Sequence, residues 1–237
     1  MRTPPPPGDL PIGFAHRGAR AECRDNTMPS FRRALELGAR GIESDAWVSA
    51  DGVVVLDHDG VVRRGLRRVG IAALRRADLP GHIPDLAELL AVSDPGVDLS
   101  LDIKDPATAG PTIGAVEAAG REERTWLCGR DSDLIDWRGR SPGVRLVNST
   151  RMQNIPEGLP ARVARLTAGG VDAVNLRWPE WDAGRLAVVH DAGLLAFAWD
   201  AQRRETLSAV LRLGVDGVYC DHVTRMVDAL AARRREL

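Results

Sequence analysis

Glu43 and Asp45 stand two residues apart in the run Gly41–Val48, so on a β-strand both carboxylates share one face while Ile42 and Ser44 share the other. Paired carboxylates repel and raise each other's pKa unless a cation neutralises them. Oxygen-only ligands suit a hard ion such as Mg2+ or Ca2+; a solvated strand end paired with arginines would satisfy them too. In Leu99–Lys104, Asp102 and Lys104 share a face opposite Leu101 and Ile103. Burying both without partners would be costly, so they serve each other as an ion pair or serve a ligand. His16 and Arg17 end the first apolar run, and His58 ends another. A strand-end histidine alone reads equally as a packed or surface residue, and the joint placement is what points to chemistry. A cation held by Glu43, Asp45 and Asp102, with Arg17 and Lys104 beside it, would bind a phosphoryl group. Two imidazoles titrating near neutrality would share the acid and base work. That is a site for metal-assisted phosphodiester cleavage.

Such residues must be carried on a frame. Short apolar runs at Ile12–His16, Gly41–Val48 (extended by Val53–His58), Leu99–Lys104, Thr125–Cys128, Val144–Asn148, Ala173–Leu176, Leu194–Ala198 and Gly217–Cys220 read as strands. Helical spacing fills the intervals at Met28–Leu37, Asp85–Ala91, Thr108–Ala118, Ser132–Arg138, Leu159–Thr167, Asp182–His190, Glu205–Leu213 and Val223–Arg233. Gly38, Gly120, Gly169, Gly193 and Gly214 stand where helix C-caps are expected. Eight strand-then-helix units predict an α/β fold, a (β/α)8 TIM barrel. In such a barrel the catalytic groups gather at the C-terminal ends of the strands, where His16, Glu43, Asp45, Asp102 and Lys104 fall. A doubly wound sheet would usually open on a glycine-rich phosphate loop, but the first strand runs into Ala15-His16-Arg17-Gly18. The expected organisation is a flexible Pro-rich leader over 1–10, containing Pro4 to Pro7, and one barrel domain over 11–237.

Composition narrows the classes. The chain has 237 residues, 44% of them hydrophobic and 27% charged, which suffices for a sizeable core. The net charge of −1 argues against a dedicated nucleic-acid binder. Cys23, Cys128 and Cys220 show no disulfide or zinc spacing. No long apolar run suggests integral membrane association, no signal-peptide pattern follows Met1, and a cytoplasmic location is the expectation. Of 32 basic residues, Lys104 is the single lysine. Bias toward arginine is one explanation; a tight site that requires an ammonium is the other.

The motifs resemble those of the glycerophosphodiester phosphodiesterases. His16-Arg17-Gly18, Asp25-Asn26-Thr27 before Ser30-Phe31, Ile42-Glu43-Ser44-Asp45, Asp51-Gly52, and His58-Asp59 with Arg64 follow in that family's order. Ile83-Pro84-Asp85-Leu86, Asp102-Ile103-Lys104, Phe197-Ala198-Trp199-Asp200 and the run Gly214–Asp221 extend the likeness over nearly the whole chain. The resemblance implies a TIM barrel that hydrolyses a small-molecule glycerophosphodiester to an alcohol and glycerol 3-phosphate, in glycerol and lipid metabolism. It implies His16 and His58 as the acid/base pair and Glu43, Asp45 and Asp102 as ligands of Mg2+ or Ca2+. It further implies Arg17 and Lys104 as phosphate contacts and Trp199 as a wall of the glycerol pocket.

The chain departs from that pattern in places. Asp102 replaces the family's usual Glu, Arg24-Asp25-Asn26-Thr27 replaces Pro-Glu-Asn-Thr, and Cys220-Asp221-His222 replaces Thr-Asp-x-Pro. The stretch 59–82 is short, which predicts an open pocket. Its arginines Arg63, Arg64, Arg67, Arg68, Arg75 and Arg76 read as a solvated helix face or as attraction for an anionic substrate. Trp178 and Trp181 line a headgroup pocket or pack at the core edge, and Cys220 reads as buried packing. Rival readings are a lysophospholipase D-like phosphodiesterase and a catalytically impaired barrel that binds anionic metabolites or a partner.

Overall fold

β1 (Ile12–His16) pairs in parallel with both its sequence neighbour β2 (Gly41–Val48) and the last strand β11 (Gly217–Cys220), and this closes a barrel in the computed structural model. The structure describes residues 11–236; the expected Pro-rich leader lies outside them. Going round from β11, the parallel wall continues through β10 (Leu195–Trp199), β9 (Ala173–Arg177), β8 (Arg145–Ser149), β7 (Thr125–Gly129) and β6 (Asp98–Ile103) back to β2. Closure excludes the doubly wound alternative. Helices α1 (Met28–Glu36), α2 (Leu86–Val92), α3 (Ala109–Ala118), α4 (Asp131–Arg140), α5 (Leu159–Ala168), α6 (Ala183–Asp191), α7 (Arg204–Leu213) and α8 (Val223–Glu236) follow the barrel strands in turn.

Local chemistry sets the helix ends. Thr27 caps α1 by accepting the Ser30 N–H, with Pro29 in the first turn, and Gly38 at φ 87° follows its C-terminus. Asp182 caps α6 through the Arg185 N–H. Four of the five glycines expected as caps have positive φ; after α5 that conformation falls on Gly170, while Gly169 has φ −81°.

Two cores follow from strand alternation. Outward residues such as Ile42, Leu99, Leu101 and Leu146 meet the helices. Inward, Phe14, Trp126, Phe197 and Tyr219 form an aromatic plug, with Phe14 stacked on Tyr219 at 4.8 Å. Gly41 and Gly217 make room for it. A Cβ on Gly217 would lie 2.7 Å from Phe197 Cδ1, and one on Gly41 would lie 2.9 Å from Phe14 Cδ1.

Val53–His58 follows the second strand as a hairpin arm: Asp51-Gly52, a hairpin-type turn signal in the sequence, turns the chain, and β3 (Val54–Leu56) returns antiparallel along β2. One expectation is corrected here. The arginine-rich run is not a helix but an antiparallel hairpin, β4 (Val61–Arg64) and β5 (Arg67–Gly70). Val62 at the base of the hairpin is buried, while its four arginines, next to the tip on both strands, are exposed. Val62 and Val69 join Val55, Ile71, Leu74 and Trp47 in a satellite core.

Candidate active site

Strand register assembles the site. Closure of β1 on β2 places His16 opposite Glu43, and β2 on β6 places Asp45 opposite Asp102. The parity that sends Glu43 and Asp45 to one face therefore sends His16 and Asp102 to the same face. All four stand above the aromatic plug, at the C-terminal edge.

The turn after β1 is built for this purpose. Arg17 adopts φ 55° and Gly18 φ 79°. A Cβ on Gly18 would lie 2.6 Å from Ser30 Oγ and 2.8 Å from the Ser30 carbonyl carbon, so the glycine of His16-Arg17-Gly18 is sterically required. The strained turn aims the Arg17 N–H at Glu43 Oε2, 2.9 Å away. The Arg17 guanidinium meets Asp45 Oδ2 at 3.1 Å and Asp25 Oδ2 at 3.2 Å. Asn26, also at positive φ, donates from Nδ2 to Asp45 at 2.8 Å and accepts from Ser44 Oγ at 2.7 Å. Asp25 and Asn26 thus brace Arg17 and Asp45 from behind.

The electrostatics separate the three carboxylates. Burial pushes Glu43 up to about 7; the charge of His16 opposes this, and Asp45 and Asp102 add to it. Asp45 is as deeply buried, but Lys104, Arg17 and Asn26 overcome the burial and hold its carboxyl below the usual range. Lys104 Nζ stands 2.8 Å from Asp45 Oδ1 and 2.5 Å from Asp102 Oδ2. Burial opposes its charge, yet Asp102 and Asp45 raise it well above the ordinary lysine value. The ion pair expected between Asp102 and Lys104 therefore exists, widened to include Asp45. Among the described residues no three His, Cys, Asp or Glu side chains stand ready as a metal cage. Between two of the three candidate ligands lies the Lys104 ammonium.

His16 is held from both sides. Its Nδ1 lies 2.6 Å from Asp221 Oδ1 and its Nε2 lies 3.8 Å from Glu43 Oε2. Burial disfavours the imidazolium, but Glu43 and the Asp221 hydrogen bond outweigh it and raise the pKa. Gln202 Oε1 accepts the Asp221 N–H at 2.8 Å. Asp221, known from the sequence only as part of the run Gly214–Asp221, is a further functional candidate; its signal is a carboxylate directly after the last strand, at the C-terminal edge of the barrel.

A cavity of about 240 Å3 opens over these groups, lined among others by His16, Glu43, Asp102, Trp199, Asp221 and Arg20. A second cavity of about 150 Å3 shares Asp102 and Ser149 with it and adds Lys104 and Arg130. Trp199, the last residue of β10, has the Arg151 guanidinium 5.0 Å over its ring. On the cavity floor, Tyr219 Oη and Ser100 Oγ are 3.0 Å apart. His58 is not drawn in as closely. It follows β3 in a half-exposed loop, with Nδ1 2.8 Å from Asp59 Oδ1, and is not among the cavity's lining residues. The Asp57 N–H bonds the Asp45 carbonyl at 3.0 Å, which keeps His58 on the same rim.

The tryptophans after β9 settle against the core. Trp181 is buried and donates to the Phe197 carbonyl at 2.8 Å, and Trp178 packs beside it. Burial pushes the Cys220 thiol up to about 11, as suits a packed cysteine.

Residues 16–114 match the model of the glycerophosphoryl diester phosphodiesterase family. The chain is 28% identical to a probable glycerophosphodiester phosphodiesterase 2 of Mycobacterium tuberculosis, over 94% of this chain and 91% of that protein. Its fold superposes on a putative glycerophosphoryl diester phosphodiesterase from Silicibacter pomeroyi with a TM-score of 0.82, at 22% identity and 94% coverage of each chain. It also superposes on an Oleispira antarctica phosphodiesterase in complex with its product sn-glycerol-3-phosphate, with a TM-score of 0.80 at 21% identity, over 94% of this chain and 98% of that one.

Proposed function

We propose that this chain, whose residues 16–114 match the glycerophosphoryl diester phosphodiesterase family model, is a member of that family and hydrolyses small glycerophosphodiesters to an alcohol and glycerol 3-phosphate. The observation that carries the reading is the convergence of His16, Glu43, Asp102 and Trp199 on one cavity, with Arg17 and Lys104 both paired to the neighbouring Asp45. The product bound to the Oleispira phosphodiesterase supports the same substrate class.

Lys104 and Arg17 supply positive charge for the phosphate oxygens. Asp221 holds the proton on His16 Nδ1, which leaves Nε2 to exchange a proton with the attacking hydroxyl or the departing alcohol. His58 on the rim serves as the second acid/base group. Trp199 gives the glycerol carbons an apolar wall.

The chemistry of the donor set fits a divalent cation, Mg2+ or Ca2+. Glu43 and Asp102 present hard oxygens to one cavity, and Glu43 is held near 7 by burial and by repulsion that a cation would relieve. Glu43, Asp45 and Asp102 would hold the ion only if the Lys104 ammonium, which bridges Asp45 and Asp102 in this structure, moved off them toward the phosphate. When bound, such an ion polarises phosphate oxygens and neutralises developing charge.

No helix among the described residues is long and apolar enough to cross a membrane, and the free Cys23, Cys128 and Cys220 suit the cytoplasmic location proposed with this activity. The test is release of glycerol 3-phosphate from glycerophosphocholine and glycerophosphoethanolamine, and of choline from lysophosphatidylcholine, with and without EDTA. Glycerol 3-phosphate should appear, vanish with EDTA and return with Mg2+ or Ca2+. Activity that survives complete metal removal would overturn the metal assignment. Turnover of lysophosphatidylcholine alone would replace this reading with the lysophospholipase D one.

A further inference from the structure

From Gly60 to Ala77 the chain contains six arginines and no acidic residue, in a protein whose net charge is only −1. The β4–β5 hairpin concentrates four of them. Its register sets Arg63 opposite Arg68 and Arg64 opposite Arg67, two adjacent rungs of like charge. Like charges directly across a ladder destabilise it. Arg64 finds a partner in Asp78, donating to its carbonyl at 2.7 Å. Among the described residues, Arg63, Arg67 and Arg68 make no ion pair. Gly65 at φ 61° turns the tip, and the next residue, Leu66, has 106% relative exposure. Ile135, at 43%, is the only other exposed large hydrophobic residue among those described.

The hairpin is firmly based. Val62 and Val69 pack into the satellite core, and the Ile71 N–H bonds the Gly60 carbonyl at 2.8 Å. Gly60 lies so close to Trp47 of β2 that a Cβ there would be 2.4 Å from the indole. That contact roots the hairpin near the C-terminal end of β2, just after His58 in the chain.

We propose that this hairpin docks the protein on an anionic lipid surface, with Arg63, Arg67 and Arg68 at the headgroups and Leu66 entering the acyl boundary. Charge complementarity selects a polyanionic partner. Leu66 selects a bilayer, because a fully exposed aliphatic tip gains nothing against a nucleic-acid phosphate backbone but buries in lipid. The inference goes beyond the proposed hydrolysis, and binding is read without turnover, so the two fail independently.

The full-length protein is sedimented with phosphatidylcholine vesicles and with vesicles of phosphatidylcholine mixed with phosphatidylglycerol. Binding should require phosphatidylglycerol and weaken as salt rises. Replacing Arg63, Arg67 and Arg68 together by Gln should lower the partition constant about a hundredfold, from about 1 kcal/mol per arginine at a charged surface. Leu66→Ser should lower it about tenfold, since a buried Leu contributes about 1.5 kcal/mol or more. Neither variant should melt below the wild type, and the triple variant, freed of the like-charge rungs, should melt slightly above it. Absence of wild-type binding to phosphatidylglycerol would overturn the proposal, as would undiminished binding by the triple variant. Binding indifferent to Leu66 and equalled by duplex DNA would reduce the hairpin to a general polyanion patch and overturn it too.

Discussion

Lys104 offers the sharpest test of the site, because its charge and its shape can be changed separately. One nitrogen contacts Asp45 at 2.8 Å and Asp102 at 2.5 Å. Two charge-assisted hydrogen bonds of about 1.5–3 kcal/mol each set a gross value of about 3–6 kcal/mol. The side chain is 25% exposed and Asp45 keeps Arg17 and Asn26, so water and those partners recover part of the loss. Lys104→Met should therefore cost about 2–3 kcal/mol, or about 5–10 °C in melting temperature for a chain of this size. It should also lower kcat about 10²–10³-fold, the usual cost of removing one donor to a developing oxyanion. Lys104→Arg keeps the charge. Its planar fork, however, cannot place a single nitrogen between both carboxylates. Stability should fall by less than about 1 kcal/mol, while kcat/KM falls at least about tenfold, a gap in the transition state of about 1.4 kcal/mol. The assay is steady-state release of glycerol 3-phosphate beside a thermal melt of the same preparation. A double-mutant cycle with Asp102→Asn should return a coupling of about 1–3 kcal/mol. If Lys104→Arg retains wild-type kcat/KM, the single lysine reflects arginine bias alone. If Lys104→Met melts higher than wild type, the ammonium is not what neutralises Asp45 and Asp102.

Two further outcomes follow from named contacts. Asp221→Asn removes the carboxylate that fixes His16 Nδ1 and should lower kcat about 10²-fold with little change in KM, shifting the limb of the pH–rate profile that reports His16. An unchanged profile would leave Asp221 a structural residue. Gly217→Ala drives a methyl into the Phe197 ring, which Trp126 confines at a centroid distance of 5.0 Å. Overpacking should cost about 1–3 kcal/mol and lower the melting temperature by about 3–10 °C, and an unaltered melt would show that the aromatic plug yields more freely than its packing implies.

Much of this protein is written locally. Strand parity was enough to place Glu43 with Asp45 and Asp102 with Lys104, because side chains alternate strictly along an extended backbone. The eight barrel strands begin and end within a residue or two of the positions expected from apolar runs. The errors lie where local pattern is ambiguous. Val61–Gly70 is too short and too charged for periodicity to separate a helix from a hairpin, and only the satellite core under Val62 and Val69 decides it. Gly169 and Gly170 are adjacent, and which one takes the left-handed conformation depends on how α5 ends.

The site itself divides along the same line. Sequence alone determined which residues could act and that they would crowd one edge of a barrel, since residue type and strand position are local properties. Tertiary structure decided who touches whom. Barrel closure set His16 opposite Glu43 and Asp45 opposite Asp102, brought Asp221 from the far end of the chain to His16, inserted the Lys104 ammonium between two carboxylates, and left His58 on the rim. These are relations between strands distant in the chain, fixed by register and by closure of the barrel. No spacing along one strand can encode them.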